Sequence, residues 1–345
     1  MIALKIYKLE REEEKAWDEY VWNPYTSTFY HQIGWKNIVE KTYKHKPIYL
    51  IAKENGELRG VLPLFLIKSI FFGKKLVSVP FAPYGGVCAD NRTIEKALIE
   101  EAKRITEESS VDYLELRTIS ENNIAGLISK SLYVTSILEL DPNPAVVWNE
   151  RLKRNKRKTI VKSEKRNLTL EWTKKTDGFY NMYAHNMREL GSPVHSNKFF
   201  EYILSEFPDN SKVLTVSRDG DVLYAAFYLF YKDTVINSWS STLEEYRKFY
   251  PTDFGIWNAI KYGCENGYRY YDLGRSQENS TNIEFKMRWS AETKHLHYQF
   301  YLNNAKEVPN TTSANPKRQK FAKVWRKLPL SVANIAGPKI RGSFP

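Results

Sequence analysis

The stretch KVLTVSRDGDVLYAAFYLFY, residues 212–231, has the pattern of two apolar strands joined at an Asp-Gly pair, residues 219–220. Such a pair between two apolar runs is a strong signal of a β-hairpin, because both turn residues tolerate a positive φ. Residues 49–67, YLIAKENGELRGVLPLFLI, have the same layout around the Asn-Gly pair at 55–56. The sequence therefore predicts two similar hairpins, one in each half of the chain.

The elements around each hairpin recur in the same order. Two helical segments precede each hairpin, and a strand, a helix and a further strand follow it. In the second half, the helix DFGIWNAIKYGCENG is expected to begin with a cap at Asp253 and to stop at Gly267. This order is that of one half of a tandem acyl-CoA N-acyltransferase (GNAT) protein.

We therefore predict an α+β fold with two tandem GNAT-like halves, each a mixed, mostly antiparallel sheet flanked by helices. A first half over residues 1–149 would be followed by a basic connecting helix over 150–167. The second half would occupy residues 168–305, and a basic, partly helical tail would occupy 306–345.

The positive charge of the chain is concentrated in two segments. The 345 residues carry a formal net charge of +12. Residues 151–167 contain nine Lys or Arg and one acid, and residues 317–345 contain eight bases and no acid. Because the remainder is mildly acidic, these two segments indicate local contacts with anionic partners.

Composition also excludes several classes of protein. Two cysteines cannot form a disulfide framework, and six scattered histidines offer no zinc spacing, so no metal is predicted. The N-terminal residues lack a signal-peptide pattern, and the longest apolar run is far shorter than the roughly 20 residues of a membrane span. We expect a cytoplasmic protein.

Several segments resemble the FemAB-like family of tandem-GNAT transferases. The resemblance lies in residues 49–87, in the basic run 151–172, in FYNMYAHNMRELGSPVHSNKFFEYI at 179–203, and in 245–276 with the closing FKMRW. It covers roughly residues 28 to 300 and is a pattern of the whole length. The phrases LGSPVH and YYDLGRS are closer to relatives that accompany exopolysaccharide and exosortase systems than to those that act on peptidoglycan.

The resemblance implies transfer of an acyl or aminoacyl group to an amine on a cell-envelope precursor, whether peptide, glycan or lipid-linked. The donor would be aminoacyl-tRNA or acyl-CoA. One alternative is a CoA-dependent GNAT N-acetyltransferase that acts on an amino sugar or polyamine. A second alternative is a scaffold without catalytic activity that binds RNA or anionic membrane through its basic segments.

Acyl transfer to an amine requires a deprotonated amine and donors for the developing oxyanion, and it does not require a protein nucleophile. The sequence has no GxSxG motif. A CoA-binding loop would place glycines before the second-half helix, where the sequence has Pro251 and Asp253. Acetyl-CoA is therefore disfavoured as the donor.

Lys286 is the leading catalytic candidate. In the resembled family, a Phe-Lys pair at this place contacts the acyl donor's phosphate or the developing negative charge, and Phe285-Lys286 matches it. Asp272, in YYDLGRS, could orient the substrate amine or accept its proton, and Arg275 could bind a carboxylate or phosphate. The alternatives are an exposed lysine beside a core phenylalanine and an Asp–Arg pair that only fixes a turn.

The remaining predicted substrate-binding residues lie in loops or at strand ends: Tyr84, Gly85, His195, Trp239 and Arg247.

The basic segments are assigned to anionic ligands. Arg154, Arg157 and Lys158, on one helix, are predicted to bind the donor's phosphates, either of tRNA or of a pyrophosphate-bearing lipid carrier. The tail interleaves Phe321, Val324, Trp325 and Leu328 with bases, a pattern typical of peripheral contact with the inner face of a membrane. A solubilising connector and a helix packed on the body are the respective alternatives.

Overall fold

Both predicted hairpins are present in the computed structural model, which describes residues 4–24, 26–69, 73–119, 121, 124–278, 280–310 and 315–344. Asn55 and Gly56 have φ of 54° and 85°, and Asp219 and Gly220 have φ of 52° and 90°. Because both turn residues take positive φ in both places, the two turns have the same left-handed geometry.

The chain divides into two compact units. The first contains Met1–Leu132, His295–Thr311 and Gly342–Pro345, and the second contains Tyr133–Lys294 and Thr312–Arg341. The elements up to residue 139 are β1 Leu4–Lys8, α1 Glu14–Trp22, α2 Ile33–Tyr43, β2 Lys46–Pro47, β3 Leu50–Glu54, β4 Glu57–Leu62, β5 Phe65–Ser69, β6 Gly73–Ser78, β7 Cys88–Ala89, α3 Arg92–Glu108, β8 Tyr113–Thr118 and β9 Ile128–Glu139. The later elements are α4 Pro144–Val146, a π-helix Val147–Arg151, α5 Arg154–Glu164, β10 Thr169–Thr173, α6 Asp177–Glu189, α7 Asn197–Glu206, β11 Ser211–Arg218, β12 Asp221–Tyr231, β13 Thr234–Ser241, α8 Pro251–Glu265, β14 Tyr270–Gln277, α9 Thr281–Met287, β15 Glu292–Leu302, α10 Pro316–Trp325 and α11 Leu330–Arg341.

The first unit contains an antiparallel sheet of order β1-β3-β4-β7 and strands of order β15-β8-β6-β5-β2. In the second set, β6 and β8 are parallel and the other described pairs are antiparallel. Helix α3 buries Ile94, Leu98, Ala102 and Ile105 in the core of this unit. This spacing of three and four residues is that of a helix with one apolar face.

The second unit contains strands of order β10-β11-β12-β13-β14-β9, all antiparallel except β13 with β14. Side chains of β12 alternate between its two faces, as in any strand. Tyr224 and Tyr228 lie in one core with Ile256 and Ile260 of α8, whereas Phe227 packs 5.6 Å from Phe179 of α6. The sheet is thus covered by helices on both faces, and the predicted α+β class is confirmed.

Helix α8 begins earlier than predicted. Pro251 is its first residue, so Asp253 lies in the first turn and does not cap the helix. Proline suits this position because it lacks an N–H that would have no partner there, and its φ is already helical. The predicted stop is confirmed, since the helix ends at Glu265 and Gly267 has a φ of 77°.

Residues 151–167 and 317–341 of the basic segments lie in the second unit. Helix α5 of the basic run buries Ile160 in the core of that unit, and the tail forms α10 and α11. The predicted limits of the two GNAT-like halves stay a prediction, because compactness alone does not define a GNAT half.

Candidate active site

Strands β13 and β14 run side by side for only three residue pairs. Thr234–Ile236 pair with Tyr270–Asp272, and both strands continue for several residues beyond these pairs. Each strand has a register shift near this point, β13 against β12 and β14 against β9. We call the place beyond Ile236 and Asp272 the strand split, and bulges of this kind commonly re-aim side chains next to functional sites.

Polar side chains follow the strand split on both β13 and β14. Asn237 Oδ1, Ser238 Oγ and Ser276 Oγ are buried and have no hydrogen-bond partner among the described residues. Buried polar atoms are nearly always bonded, so these three are suited to a polar ligand or water. The Asn237 amide lies 3.4 Å from the hydroxyls of Tyr228 and Tyr271.

Asp272 fixes the turn in β14. Its Oδ1 accepts hydrogen bonds from Thr135 Oγ1 at 2.6 Å and from the Gly274 N–H at 2.7 Å. The side chain is almost fully buried. Gly274 has a φ of 79°, and a Cβ at this residue would lie 2.9 Å from the Asn237 carbonyl oxygen. Glycine is therefore required at this turn for both its conformation and its size.

Lys286 lies on α9 and reaches back to the same turn. Its Nζ donates to the carbonyl oxygens of Gly274 at 2.6 Å and Arg275 at 3.2 Å. Burial lowers the pKa of Lys286 to about 8, with Arg275 adding to the effect and Asp272 opposing it. An ammonium has three donors, and these two carbonyls use two of them.

The hydrogen bonds that fix the turn through Asp272 Oδ1 come from Thr135 and the Gly274 N–H, and Arg275 is not one of these donors. Its guanidinium is exposed and lies 4.6 Å from the centre of the Tyr133 ring. The structure therefore brings Lys286, Asp272 and Arg275 together at the strand split, but the turn-fixing contact comes from Thr135. An exposed guanidinium held on an aromatic face is suited to bidentate binding of a carboxylate or phosphate.

Beneath α9 lies a buried lysine that the sequence reasoning missed. Lys156 Nζ lies 4.8 Å from the Phe285 ring centre and 4.5 Å from that of Trp289. It also pairs with Asp253 Oδ1 at 2.5 Å. Lys156 is one of nine bases in its run, and the signal that could have distinguished it is its helical spacing with Ile160 and Ser163, the other buried residues of α5.

The exposed side of α5 carries the predicted phosphate-binding residues. Arg154, Arg157 and Lys158 line a pocket of about 360 Å³ together with Trp148, Val161 and Lys162. Arg157 Nη1 also donates to the carbonyl oxygens of Trp148 and Asn149, at 2.9 and 2.8 Å. We call this the α5 pocket; it presents cations beside an apolar and aromatic wall.

His195 and Trp239 lie in an aromatic cluster of the second unit. The His195 ring stacks on Phe199 at 4.3 Å and lies 6.2 Å from the Trp239 ring, and its Nε2 accepts from Arg341 Nε at 3.0 Å. Burial and Arg341 hold the pKa of His195 well below its usual value. The ring is therefore a neutral, packed imidazole, and a substrate role for it stays a prediction.

The other predicted residues lie elsewhere. Arg247 is exposed on a 3-10 helix, Glu244–Phe249, just before α8. Tyr84 and Gly85 belong to a buried loop of the first unit, where the Gly85 N–H donates to the Arg117 carbonyl oxygen at 2.8 Å. A Cβ on Gly85 would lie 2.6 Å from Val79 Cγ2, so this glycine is required for packing.

The comparisons with known proteins agree with this geometry. Residues 150–287, which contain α5, the strand split and Lys286, match the family of the acetyltransferase (GNAT) domain. No curated protein matches the sequence. The match over residues 150–287 supports an acyltransferase of the GNAT type.

Solved structures extend the likeness over most of the chain. FemX is 15% identical with a TM-score of 0.69, covering 87% of this chain and 98% of its own. L-PGS from Bacillus licheniformis is 10% identical with a TM-score of 0.57, covering 93% and 99%. A tandem GNAT protein from the clavulanic acid biosynthesis pathway is 11% identical with a TM-score of 0.54, covering 89% and 100%. The predicted FemAB-like tandem-GNAT fold is confirmed.

Membrane spans and metal clusters are both absent from the described residues. Within the described ranges, no helix has both the length and the apolar character to cross a bilayer. No cluster of three or more His, Cys, Asp or Glu side chains suited to a metal occurs in the same ranges.

Proposed function

We propose that this chain transfers an aminoacyl group from aminoacyl-tRNA to an amine on a cell-envelope precursor. The observation that carries the proposal is the position of Lys286, whose Nζ is held on the carbonyl oxygens of Gly274 and Arg275, in the part of β14 that continues beyond the strand split. FemX and L-PGS share the fold, which supports a donor of the aminoacyl class for this chain as well.

The reaction would be a direct displacement. The acceptor nitrogen attacks the carbonyl carbon of the aminoacyl ester, a new C–N bond forms, and the C–O bond to the RNA ribose breaks. The amine loses a proton and the departing ribose oxygen gains one, so no oxidant or further reactant is needed. The Lys286 ammonium would donate its remaining hydrogen to the oxyanion that develops on the carbonyl, where a fixed cation is most effective.

Asp272 would act mainly through the turn. Because its Oδ1 holds the Gly274 N–H, it sets the direction of the two carbonyls that position Lys286. Its negative charge also favours the ammonium form of Lys286. The proton of the acceptor amine would pass to another group of the bound substrates or to the Asp272 carboxylate.

The start of α8 argues against acyl-CoA as the donor. Pyrophosphate binding at a helix N-terminus depends on several free N–H groups. Pro251 has none, and Asp253 adds a carboxylate whose charge is matched by Lys156. The Lys156 cation is therefore already engaged, whereas the cations of the α5 pocket face outward and are suited to RNA phosphates.

The test is a donor comparison on the full chain. We would incubate the protein with tRNA charged with a labelled mixture of amino acids, and in parallel with labelled acetyl-CoA. Each donor would be offered nucleotide-linked and lipid-linked peptide precursors and amino sugars. We expect label on an amine acceptor only with charged tRNA, and loss of that label after RNase treatment of the donor.

A Lys286→Met variant should lower transfer by about 100- to 1,000-fold, the usual cost of removing an oxyanion donor. The matched control is Lys261→Met, a lysine on α8 outside the strand split. Transfer from acetyl-CoA that resists RNase would overturn the proposed donor. Transfer that is unchanged in Lys286→Met would overturn the proposed site.

A further inference from the structure

The two C-terminal helices pack on one loop of the second unit. Ala322 of α10 lies against Gly191, where an added Cβ would come within 2.7 Å of the Ala322 Cβ, and Gly337 of α11 lies against Val194. Trp325 is buried, and Arg341 contacts His195. The inner faces of both helices are therefore fixed on the loop between α6 and α7.

This packing revises the predicted amphipathic stripe. Trp325 faces the body and stacks with Phe321 at 5.2 Å, so half of the stripe is engaged. Val324 points the other way, with 65% of its surface exposed. The alternative of a helix packed on the body is correct for the inner face, and the outer face is a separate surface.

Exposed apolar side chains are concentrated in this part of the second unit. Nine large apolar side chains are exposed among the described residues, and four of them lie on α10, on α11 or at the end of α6: Leu190, Val324, Val332 and Ile335. Ile335 is 68% exposed, and it lies three residues from Val332 on α11, so the two share a face. Single exposed apolar residues are ordinary, but a concentration of them marks an interaction surface.

The two C-terminal helices and the linker between them carry bases and no acid. Residues 317–345 contain eight bases and no acid. The exposed lysines of the two helices and their linker are Lys317, Lys320, Lys323, Lys327 and Lys339. We call these five lysines and the four apolar residues the C-terminal surface.

We propose that the C-terminal surface binds an anionic phospholipid bilayer. Lysines beside exposed aliphatic side chains suit the interface of such a membrane, where the cations meet lipid phosphates and the aliphatic groups enter the acyl boundary. An RNA partner would use the lysines but would leave the aliphatic side chains in water. A second copy of the chain would bring like charges together.

The proposal is independent of the proposed reaction, since it involves neither the strand split nor the α5 pocket. We would measure cosedimentation of the full chain with vesicles of phosphatidylglycerol and phosphatidylcholine, and with vesicles of phosphatidylcholine alone. We expect binding to the anionic vesicles that weakens as salt rises, and little binding to the neutral ones.

Three variants define the surface. Lys320→Gln with Lys323→Gln should lower the vesicle partition coefficient by about 30-fold, because each lysine near an anionic surface contributes about fivefold. Val332→Gln with Ile335→Gln should also lower it severalfold. The matched control, Ile128→Gln, changes an exposed isoleucine of the first unit and should leave binding unchanged.

A second measurement does not depend on weakened variants. A polarity-sensitive dye on Ile335→Cys should shift to the blue on anionic vesicles, whereas the same dye on Ile128→Cys should not. Equal binding to both vesicle types, binding that survives both paired variants, or no dye shift would each overturn the proposal. Binding to duplex RNA without binding to vesicles would overturn it as well.

Discussion

Lys156 Nζ lies 2.5 Å from Oδ1 of Asp253, and both side chains are buried or nearly so. The pair joins the first turn of α5 to the first turn of α8, and the Phe285 and Trp289 rings lie over the same ammonium. Because Phe285 precedes Lys286 on α9, the helix that carries the candidate catalytic lysine rests on this ion pair. The opposite face of α5 lines the α5 pocket. One helix therefore supports α9, which carries Lys286, and also carries the cations that are proposed to bind RNA phosphates.

Removing one partner of this pair should strongly destabilise the second unit. Lys156→Met leaves the Asp253 carboxylate buried without a counter-charge, and we expect the free energy of unfolding to fall by about 3–5 kcal/mol. Lys156→Met with Asp253→Leu should recover most of that loss, because neither charge then remains buried. Urea unfolding measures both.

The control is Lys212→Met, which removes a half-buried lysine that donates to the Tyr262 hydroxyl and forms no ion pair with the described residues. It should cost about 1 kcal/mol. A decrease in stability in Lys156→Met no larger than in this control would contradict a stabilising role for the pair.

Lys286 should give the transfer reaction an alkaline limit. Its pKa is lowered to about 8, so the ammonium that stabilises the oxyanion is present below that pH and is lost above it. We expect the rate to fall as pH rises through about 8. Lys286→Arg should move this fall to higher pH, because guanidinium stays charged.

Single-turnover rates between pH 6 and 10, at a saturating concentration of acceptor, would measure the effect. Saturation removes the ionisation of the free acceptor amine from the pH profile. A rate that rises through pH 8 and then stays level would show that the neutral amine of Lys286 is the active form, contrary to our proposal.

Asp272 should tune that limit by its charge. Asp272→Asn can still accept from Thr135 and the Gly274 N–H, but it removes the carboxylate that raises the Lys286 pKa. The alkaline fall should therefore move to lower pH than in the wild type. Thr135→Val removes a hydrogen bond without changing charge, so its fall should stay near the wild-type position. Identical shifts in the two variants would assign the effect to the turn geometry.

The α5 pocket should contribute to donor binding in a salt-dependent way. Arg154→Gln with Lys158→Gln removes two cations but keeps Arg157, which holds the Trp148 and Asn149 carbonyls. The slope of log affinity for tRNA against log salt should decrease by roughly 0.9 for each phosphate that the variant no longer neutralises. Filter binding at several salt concentrations measures this slope.

The matched control for the pocket is Lys174→Gln with Lys175→Gln, two exposed lysines of the loop that follows β10. The same decrease in slope in this control would mean that the whole basic surface acts without a defined site, and an unchanged slope in the pocket variant would make α5 a connector only.

Local patterns were the part of this fold that sequence could predict. The Asp-Gly and Asn-Gly turns depend on positive φ at neighbouring residues, and the stop at Gly267 depends on the same property. Thr135 could not be assigned in this way, because it meets Asp272 from 137 residues away through a strand pairing that no local pattern specifies. Lys156 was hidden by composition, since a buried lysine and its exposed neighbours have the same residue type.

Stability should fall in mild acid because of His195. Its pKa is held well below the usual value by burial and by Arg341, so the unfolded chain binds a proton first as pH falls below about 6.5. The contribution of His195 is therefore fully present above that pH and is lost as pH falls towards the folded pKa, by at most about 1.4 kcal/mol per pH unit. His195→Gln should flatten the curve of unfolding free energy between pH 7 and 5 relative to the wild type.

Protonation of His195 would also place a second cation beside Arg341, so α11 should become more susceptible to limited proteolysis at pH 5 in the wild type than in the variant. A wild-type curve as flat as that of the variant would show that the imidazole is charged or solvated in the folded protein.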